Sequence, residues 1–287
     1  MKQIRIFLEL IKFEHTIFAL PFAYLGMLLA ADGWPGWGKF IWITVAMAAA
    51  RTLAMGFNRI ADRWIDAQNP RTANRPLVSG AISLRTAWVG TLFATGVLTL
   101  AAWRLGPLTL QLTPGALLFL IGYSFTKRFT WLSHFILGFT DGLAPMGAWA
   151  AVRGSLFSVD DLPAWILLAV VTLWIGGFDM IYACQDTPYD RAQGLHSVPA
   201  RFGIPATLFL SSLAHLLTVL ALGWLGLLLQ LGWPYWVGLA VAAGLLTWEH
   251  LLVHPDDLSR IDLAFFNINS AISLTLFISI LGAVVLH

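Results

Sequence analysis

Charged side chains are scarce in this chain. Asp, Glu, Lys and Arg make up 11% of its 287 residues, whereas a soluble domain carries about 25%. With 58% hydrophobic residues and a mean hydropathy of +0.76, the sequence excludes a soluble globular domain. Cysteine is nearly absent. Cys184 stands alone, which rules out an internal disulfide framework and any cysteine-based zinc site. The seven histidines are scattered and form neither HExxH nor another paired-ligand spacing. A net charge of +2 gives no reason to expect a nucleic-acid partner, so the placement of the charges carries the information.

What the sequence does contain is apolar runs of roughly 17 to 22 residues, each long enough to cross a bilayer core of ~30 Å. They predict nine helices in an all-α polytopic membrane protein, at about 15–31, 38–57, 84–103, 107–123, 131–151, 163–182, 205–223, 235–253 and 264–286. The segment before them mixes Lys2, Arg5 and Lys12 with Ile4, Phe7, Leu8 and Ile11, as an amphipathic lead-in at the membrane interface would. No A-x-A cleavage site precedes Asp32, so the first run is read as a span and not as a signal peptide. Lys2, Arg5, Lys12, Arg59, Arg63, Arg71, Arg75, Arg85, Lys127, Arg128, Arg191, Arg201 and Arg260 fall on one side of the membrane. Only Lys39, Arg104 and Arg153 fall on the other. That bias places the N-terminus and the charged loops in the cytoplasm and the C-terminus outside. Trp34, Trp37, Trp131, Trp165, Trp233 and Trp236 sit near span ends, as interfacial anchors should.

The second span runs into NRIADRWIDAQNPRTANRP, in which Asn58, Asp62 and Asp66 recur every fourth residue. On one helix that spacing drifts by only ~40° per step, so three oxygen donors share a face over ~12 Å. Such a row suits Mg²⁺, which takes one or two protein carboxylates and completes its shell with water and phosphate oxygens. The sequence repeats the device at the end of the sixth span. Asp186 and Asp190 are again four apart, and Asp179 lies seven residues earlier, ~20° off the same stripe. A proline follows each pair in a basic loop, Pro76 and Pro199. The 124 residues from Asp62 to Asp186 predict a single membrane domain of two related four-helix halves, about 15–123 and 131–253, plus a ninth helix. The two acidic clusters would then face each other across a shared cavity.

Arg51 lies two turns deeper than Asn58 on the same face, and Asp179 lies inside the sixth span. Ionisable groups at such depth pair with one another or face a watery cavity. Pairing of Arg51 with Asp179 for structure alone is one reading; contact with a substrate is the other. Tyr123 and Lys127, one turn apart at the end of the fourth span, offer a hydroxyl and an ammonium, and loop placement brings Arg63, Arg128 and Arg191 near them. This set suits a diphosphate leaving group. Breaking its bond to an allylic carbon leaves a cation that needs a dry pocket and aromatic faces.

These features together resemble the UbiA superfamily of intramembrane aromatic prenyltransferases over essentially the whole chain. Arg51, Asn58-x-x-x-Asp62-x-x-x-Asp66 and Asn74-Arg75-Pro76 are similar to that family's first signature. Asp179-x₆-Asp186-x₃-Asp190 is similar to the second, and Tyr123-x-x-x-Lys127 to the third. The resemblance implies that Asn58, Asp62, Asp66, Asp186 and Asp190 hold Mg²⁺ and diphosphate, with Lys127 and its basic neighbours gripping the diphosphate. It implies that Asp179 and Arg51 lie nearer an aromatic acceptor, and that the protein resides in the bacterial inner membrane with its site open to the cytoplasm. The donor is then a polyprenyl diphosphate drawn from membrane lipid. HTIFALPFA and LAPMGAWAAVRG resemble the family's 4-hydroxybenzoate polyprenyltransferase branch, which serves ubiquinone biosynthesis. The first span departs from that branch by starting Glu14-His15-Thr16, which keeps open a hydroxylated aromatic acid of futalosine-pathway menaquinone biosynthesis. His15 is read either as an acceptor ligand or as an interfacial hydrogen bonder. Two rivals fit less well. A secondary transporter would place polar clusters on both faces of the membrane path, and the outward loops carry only scattered charges such as Asp32, Lys39 and Asp160-Asp161. A CDP-alcohol phosphotransferase would need an acid at Gly138, three residues before Asp141-Gly142.

Overall fold

The computed structural model describes the backbone of residues 2–11 and 13–286 and the side chains of residues 5–11 and 20–286. A short helix α1 (Lys2–Leu10) leads into α2 (Phe13–Ala31) and α3 (Trp37–Ala61), followed by the six-residue α4 (Arg63–Gln68). Then come α5 (Leu84–Leu105), α6 (Pro107–Thr126), α7 (Ser133–Arg153) and α8 (Leu162–Ala183). Two short helices, α9 (Thr187–Ala192) and α10 (Val198–Phe202), precede α11 (Ile204–Leu228), α12 (Trp233–Leu252) and α13 (Asn269–Val285). Among the described residues, nine of these helices have 17 residues or more, in the places the apolar runs predicted. Seven described helices are long and apolar enough to cross a membrane, with the shorter apolar stretch Leu20–Ala31 beside them; α12, which carries Glu249 and His250, is not one of the seven.

The bundle closes because small residues let backbones touch. A Cβ on Gly26 would run into the Pro145 carbonyl, joining α2 to α7, and one on Gly138 would run into the Thr172 carbonyl, joining α7 to α8. At one end, Lys39 Nζ donates to the carbonyls of Leu105 (2.9 Å) and Ala151, tying the last turns of α5 and α7 to α3. Asp161 is a structural acid. Fully buried, it accepts from Trp149 Nε1, Ser155 Oγ and both the amide and hydroxyl of Ser158, and so clamps the α7–α8 turn. α1 packs, through Leu10, against Leu77, Ile82 and Ala87.

Two expectations change. The stripe of Asn58, Asp62 and Asp66 is not one straight helix, because α3 stops at Asp62 (φ −94°, ψ 5°) and α4 starts again at Arg63. The hydrogen-bond ladder survives the bend, with Asp62 N donating to Asn58 O (2.9 Å) and Asp66 N to Asp62 O (2.8 Å). The second cluster bends in the same way: Asp186 (φ −93°, ψ 3°) caps the six-residue α9, which carries Asp190 in its first turn. Arg51, for its part, does not pair with Asp179. It pairs with Asp141 of α7 at 3.2 Å, while Asp179 meets His134.

Candidate active site

Both bends deliver their acids to one polar cavity of about 250 Å³, lined by Asn58, Asp62, Asp66, Asp186 and Asp190 together with Tyr123, Lys127 and Arg128. Each carboxylate there meets a base. Arg75 Nη1 donates to both oxygens of buried Asp66, at 2.6 and 2.7 Å. Arg71 forks onto Asp186 through Nε (3.0 Å) and Nη2 (2.6 Å), while Asn69 Nδ2 reaches the same carboxylate at 3.1 Å. Asn69 and Arg71 belong to the loop after the first acidic cluster, so this contact joins the two clusters across the cavity. Asp62 takes Arg128 Nη2 at 3.1 Å and the Asn58 amide at 2.8 Å. Burial pushes the Asp62 carboxyl above the ordinary carboxylate range, against the pull of Arg128. Lys127 Nζ stands 2.9 Å from Asp190, which is 1% exposed, yet among the described residues neither Asp190 oxygen receives an aligned hydrogen bond. A buried anion left short of directed donors is a place for a cation.

The sequence-based residues divide cleanly. Lys127, Arg128 and Tyr123 line the cavity, Tyr123 with its hydroxyl donated to Ala54 O at 3.2 Å. Arg63 and Arg191 do not. Arg63 stacks on exposed Trp64, 4.4 Å from the ring centroid, and Arg191 Nε donates to Ala200 O at 3.0 Å. Arg71 and Arg75 take their place, signalled in the sequence only by their position around Asn74 and Pro76. The side chain of His15 lies outside the described residues.

A larger cavity of about 580 Å³ continues from the polar one, sharing Asn58, Arg59, Tyr123, Asp179 and Tyr182 with it. Aromatic rings line one part of its wall in a connected chain. Phe22 meets Trp174 at 4.7 Å between centroids, Trp174 meets Phe178 at 5.3 Å, Phe178 meets Phe265 at 5.1 Å, and Tyr182 meets Phe265 at 4.1 Å. Phe265 and Phe266 are aimed there by a π-helical turn, Leu263–Ile268, at the start of α13. Arg51 and Asp141 line this cavity as well. Asp141 and His134 were missed as site residues, although a lone acid inside an apolar span is itself a signal.

Among the described residues, no three His, Cys, Asp or Glu side chains are grouped closely enough to cage a metal by themselves. Mg²⁺ does not require such a cage, because phosphate oxygens and water fill most of its shell. The donor set, all oxygen and carboxylate-rich, fits that ion.

Known proteins resemble this chain in sequence and in fold. A 4-hydroxybenzoate octaprenyltransferase of Methylobacillus flagellatus is 32% identical over 261 residues, covering 90% of this chain and 85% of that protein. The apo structure of a UbiA homologue from Aeropyrum pernix K1 superposes with a TM-score of 0.85 at 34% identity, covering 95% of this chain and 97% of that one. A UbiA homologue from Archaeoglobus fulgidus, solved bound to DMAPP and Mg²⁺, shares the fold with a TM-score of 0.67 at 17% identity, covering 96% and 99%. The UbiA prenyltransferase family model matches residues 19–271, and this integral membrane chain belongs to that family.

Proposed function

We propose that this protein transfers a polyprenyl group from a polyprenyl diphosphate to the ring of an aromatic acid, 4-hydroxybenzoate, in respiratory quinone biosynthesis. The observation that carries the reading is the junction of two cavities: a polar one whose acids are matched by bases, opening into one walled by aromatic rings. Asn58, Asp62, Asp66, Asp186 and Asp190 would hold Mg²⁺, which when bound neutralises the charge of the departing diphosphate. Arg71, Arg75, Lys127 and Arg128 each hold a carboxylate at hydrogen-bonding range, so the same four cations are placed to receive phosphate oxygens. The C–O bond to diphosphate breaks, and a C–C bond forms to the ring carbon beside the acceptor hydroxyl. The displaced ring proton goes to Asp179. The aromatic wall stabilises the allylic cation and keeps water away from it. Arg51 fixes the acceptor carboxylate, because an unpaired anion at that depth costs several kcal/mol.

Glu14-His15-Thr16 at the start of α2 departs from the 4-hydroxybenzoate branch and keeps open a second acceptor of the same class, a hydroxylated aromatic acid of futalosine-pathway menaquinone biosynthesis. Purified protein assayed with geranyl diphosphate, Mg²⁺ and a panel of hydroxylated aromatic acids tests the reading. Prenylated 4-hydroxybenzoate is the expected product. A prenylated acid of the other kind would move the acceptor assignment, and no prenylated product from any of them would refute the reading.

The nine long helices among the described residues support nine crossings, the resemblance to the family supports the bacterial inner membrane, and the charge bias supports a polar cavity open to the cytoplasm. Gln68, Gln193 and Asp160 are exposed. In a Cys184→Ser background, cysteines at the first two should label only from the cytoplasm and a cysteine at Asp160 only from outside. The reverse pattern would overturn the orientation.

A further inference from the structure

Asp179 does not sit alone at the mouth of the aromatic cavity. Its Oδ2 lies 2.6 Å from His134 Nδ1, and the His134 side chain is 3% exposed. The other ring nitrogen is also occupied, with the backbone N–H of Val198 donating to His134 Nε2 at 3.2 Å. A backbone amide can only donate, so Nε2 is an acceptor and carries no proton. The single proton of the neutral ring is therefore on Nδ1, pointing at the carboxylate. The geometry fixes the tautomer.

Three elements meet at this imidazole. His134 lies in the first turn of α7, and Asp179 lies in the last turns of α8. Val198 opens α10, where its N–H is one of the helix's unpaired first donors. Ser197 Oγ caps the Ala200 amide at 3.3 Å, which leaves the Val198 amide to the histidine. Further stitches hold the same segments together: His196 N donates to Lys127 O (2.7 Å), and Ser133 Oγ donates to His196 O (3.4 Å). The imidazole is thus anchored from behind on rigid backbone and presents one N–H forward. Among the described residues no hydrogen bond engages Asp179 Oδ1, and Asp179 lines both cavities.

We propose that His134 is a positioning residue for the alkylation step. Its locked Nδ1–H holds one oxygen of Asp179 and orients the carboxylate, so that the other oxygen faces the acceptor and receives the ring proton. This rests on the role assigned to Asp179 above. A base needs an orienting group when its task is to take a proton from one direction, and here that group is a neutral imidazole rather than a competing cation. His134 itself does not touch substrate.

The test compares His134→Leu, His134→Gln and Asp179→Asn in purified protein with geranyl diphosphate, 4-hydroxybenzoate and Mg²⁺. His134→Leu should lower kcat by about 10- to 100-fold, the range typical of groups that orient a functional side chain, with donor KM within about twofold of wild type. His134→Gln keeps one donor and one acceptor on a planar amide and should recover most of that loss. In an Asp179→Asn background, His134→Leu should add less than about twofold, because coupled residues are not additive. ¹⁵N-histidine NMR of the wild type gives a readout independent of turnover: the signal lost in His134→Gln should report a neutral ring protonated at Nδ1. A ring protonated at Nε2, or His134→Leu with wild-type kcat, would overturn the inference. So would an effect of His134→Leu that is fully additive with Asp179→Asn. Asp179→Asn with wild-type turnover would overturn the role of Asp179 as well. Asp179→Asn inactive beside a fully active His134→Leu would sink only the histidine.

Discussion

Replacing Asp66, Asp186 or Asp190 by asparagine should each lower kcat on the order of 10³-fold, about 4 kcal/mol of transition-state stabilisation. Asparagine is the informative substitution because it keeps volume and removes charge. Alanine would also leave a base without its partner, since Asp66 holds Arg75 and Asp186 holds Arg71. Removing the whole side chain would also open space in the cavity wall and would confuse loss of catalysis with loss of fold. The effect should fall on kcat and on the Mg²⁺ concentration needed for half-maximal rate, with acceptor KM little changed. Asp190 should be the most sensitive. It is almost fully buried, and among the described residues neither of its oxygens receives an aligned hydrogen bond. Wild-type kcat in any two of the three variants would refute the metal and diphosphate assignment.

Arg51 should behave differently. Arg51→Ala is expected to raise acceptor KM about 100-fold, close to the 3 kcal/mol at the top of the range for a hydrogen bond to a charged group. Donor KM should stay within about threefold. Nη1 of Arg51 is committed to Asp141 at 3.2 Å, while its buried Nε has no partner among the described residues. A guanidinium held by one corner keeps other N–H groups for a carboxylate, and lysine cannot reproduce that fork. Arg51→Lys should therefore raise acceptor KM about tenfold. Asp141→Asn, which loosens the corner without removing the fork, should have a smaller effect of the same kind. A steep rise in donor KM with an unchanged acceptor KM would instead place Arg51 in the diphosphate site.

Much of this architecture was legible in the sequence because bilayer-spanning helices announce themselves by long apolar runs. What such runs mark is lipid depth, not the end of a helix. This explains why α3 runs on to Ala61, through the polar Asn58 and Arg59, beyond the expected limit near residue 57. The four-residue spacing of the acids was readable, and the bends at Asp62 and Asp186 were not. The bend at Asp62 keeps the i to i+4 hydrogen bonds, and the one at Asp186 is a single tighter turn, Cys184–Asp186, with an i to i+3 bond from Thr187 N to Cys184 O, so neither leaves a mark on the periodicity. The basic partners were the hardest to place. Arg63 follows Asp62 directly and still turns away onto Trp64, whereas Arg71 reaches Asp186 across 115 residues of chain. Loop charges obey no repeat, and which one meets which acid is decided by tertiary folding. Asp141 and His134 pair with residues on other helices, Arg51 on α3 and Asp179 on α8, so neither partner could be inferred from local spacing.

The measurement that tests the central claim most directly is the formation of prenylated aromatic acid by purified protein as free Mg²⁺ is titrated with EDTA. Product should vanish when the ion is removed and return when it is restored, with the Asp186→Asn midpoint displaced to higher Mg²⁺. Undiminished turnover in excess EDTA would contradict the claim that the two acidic clusters carry a metal-bound diphosphate.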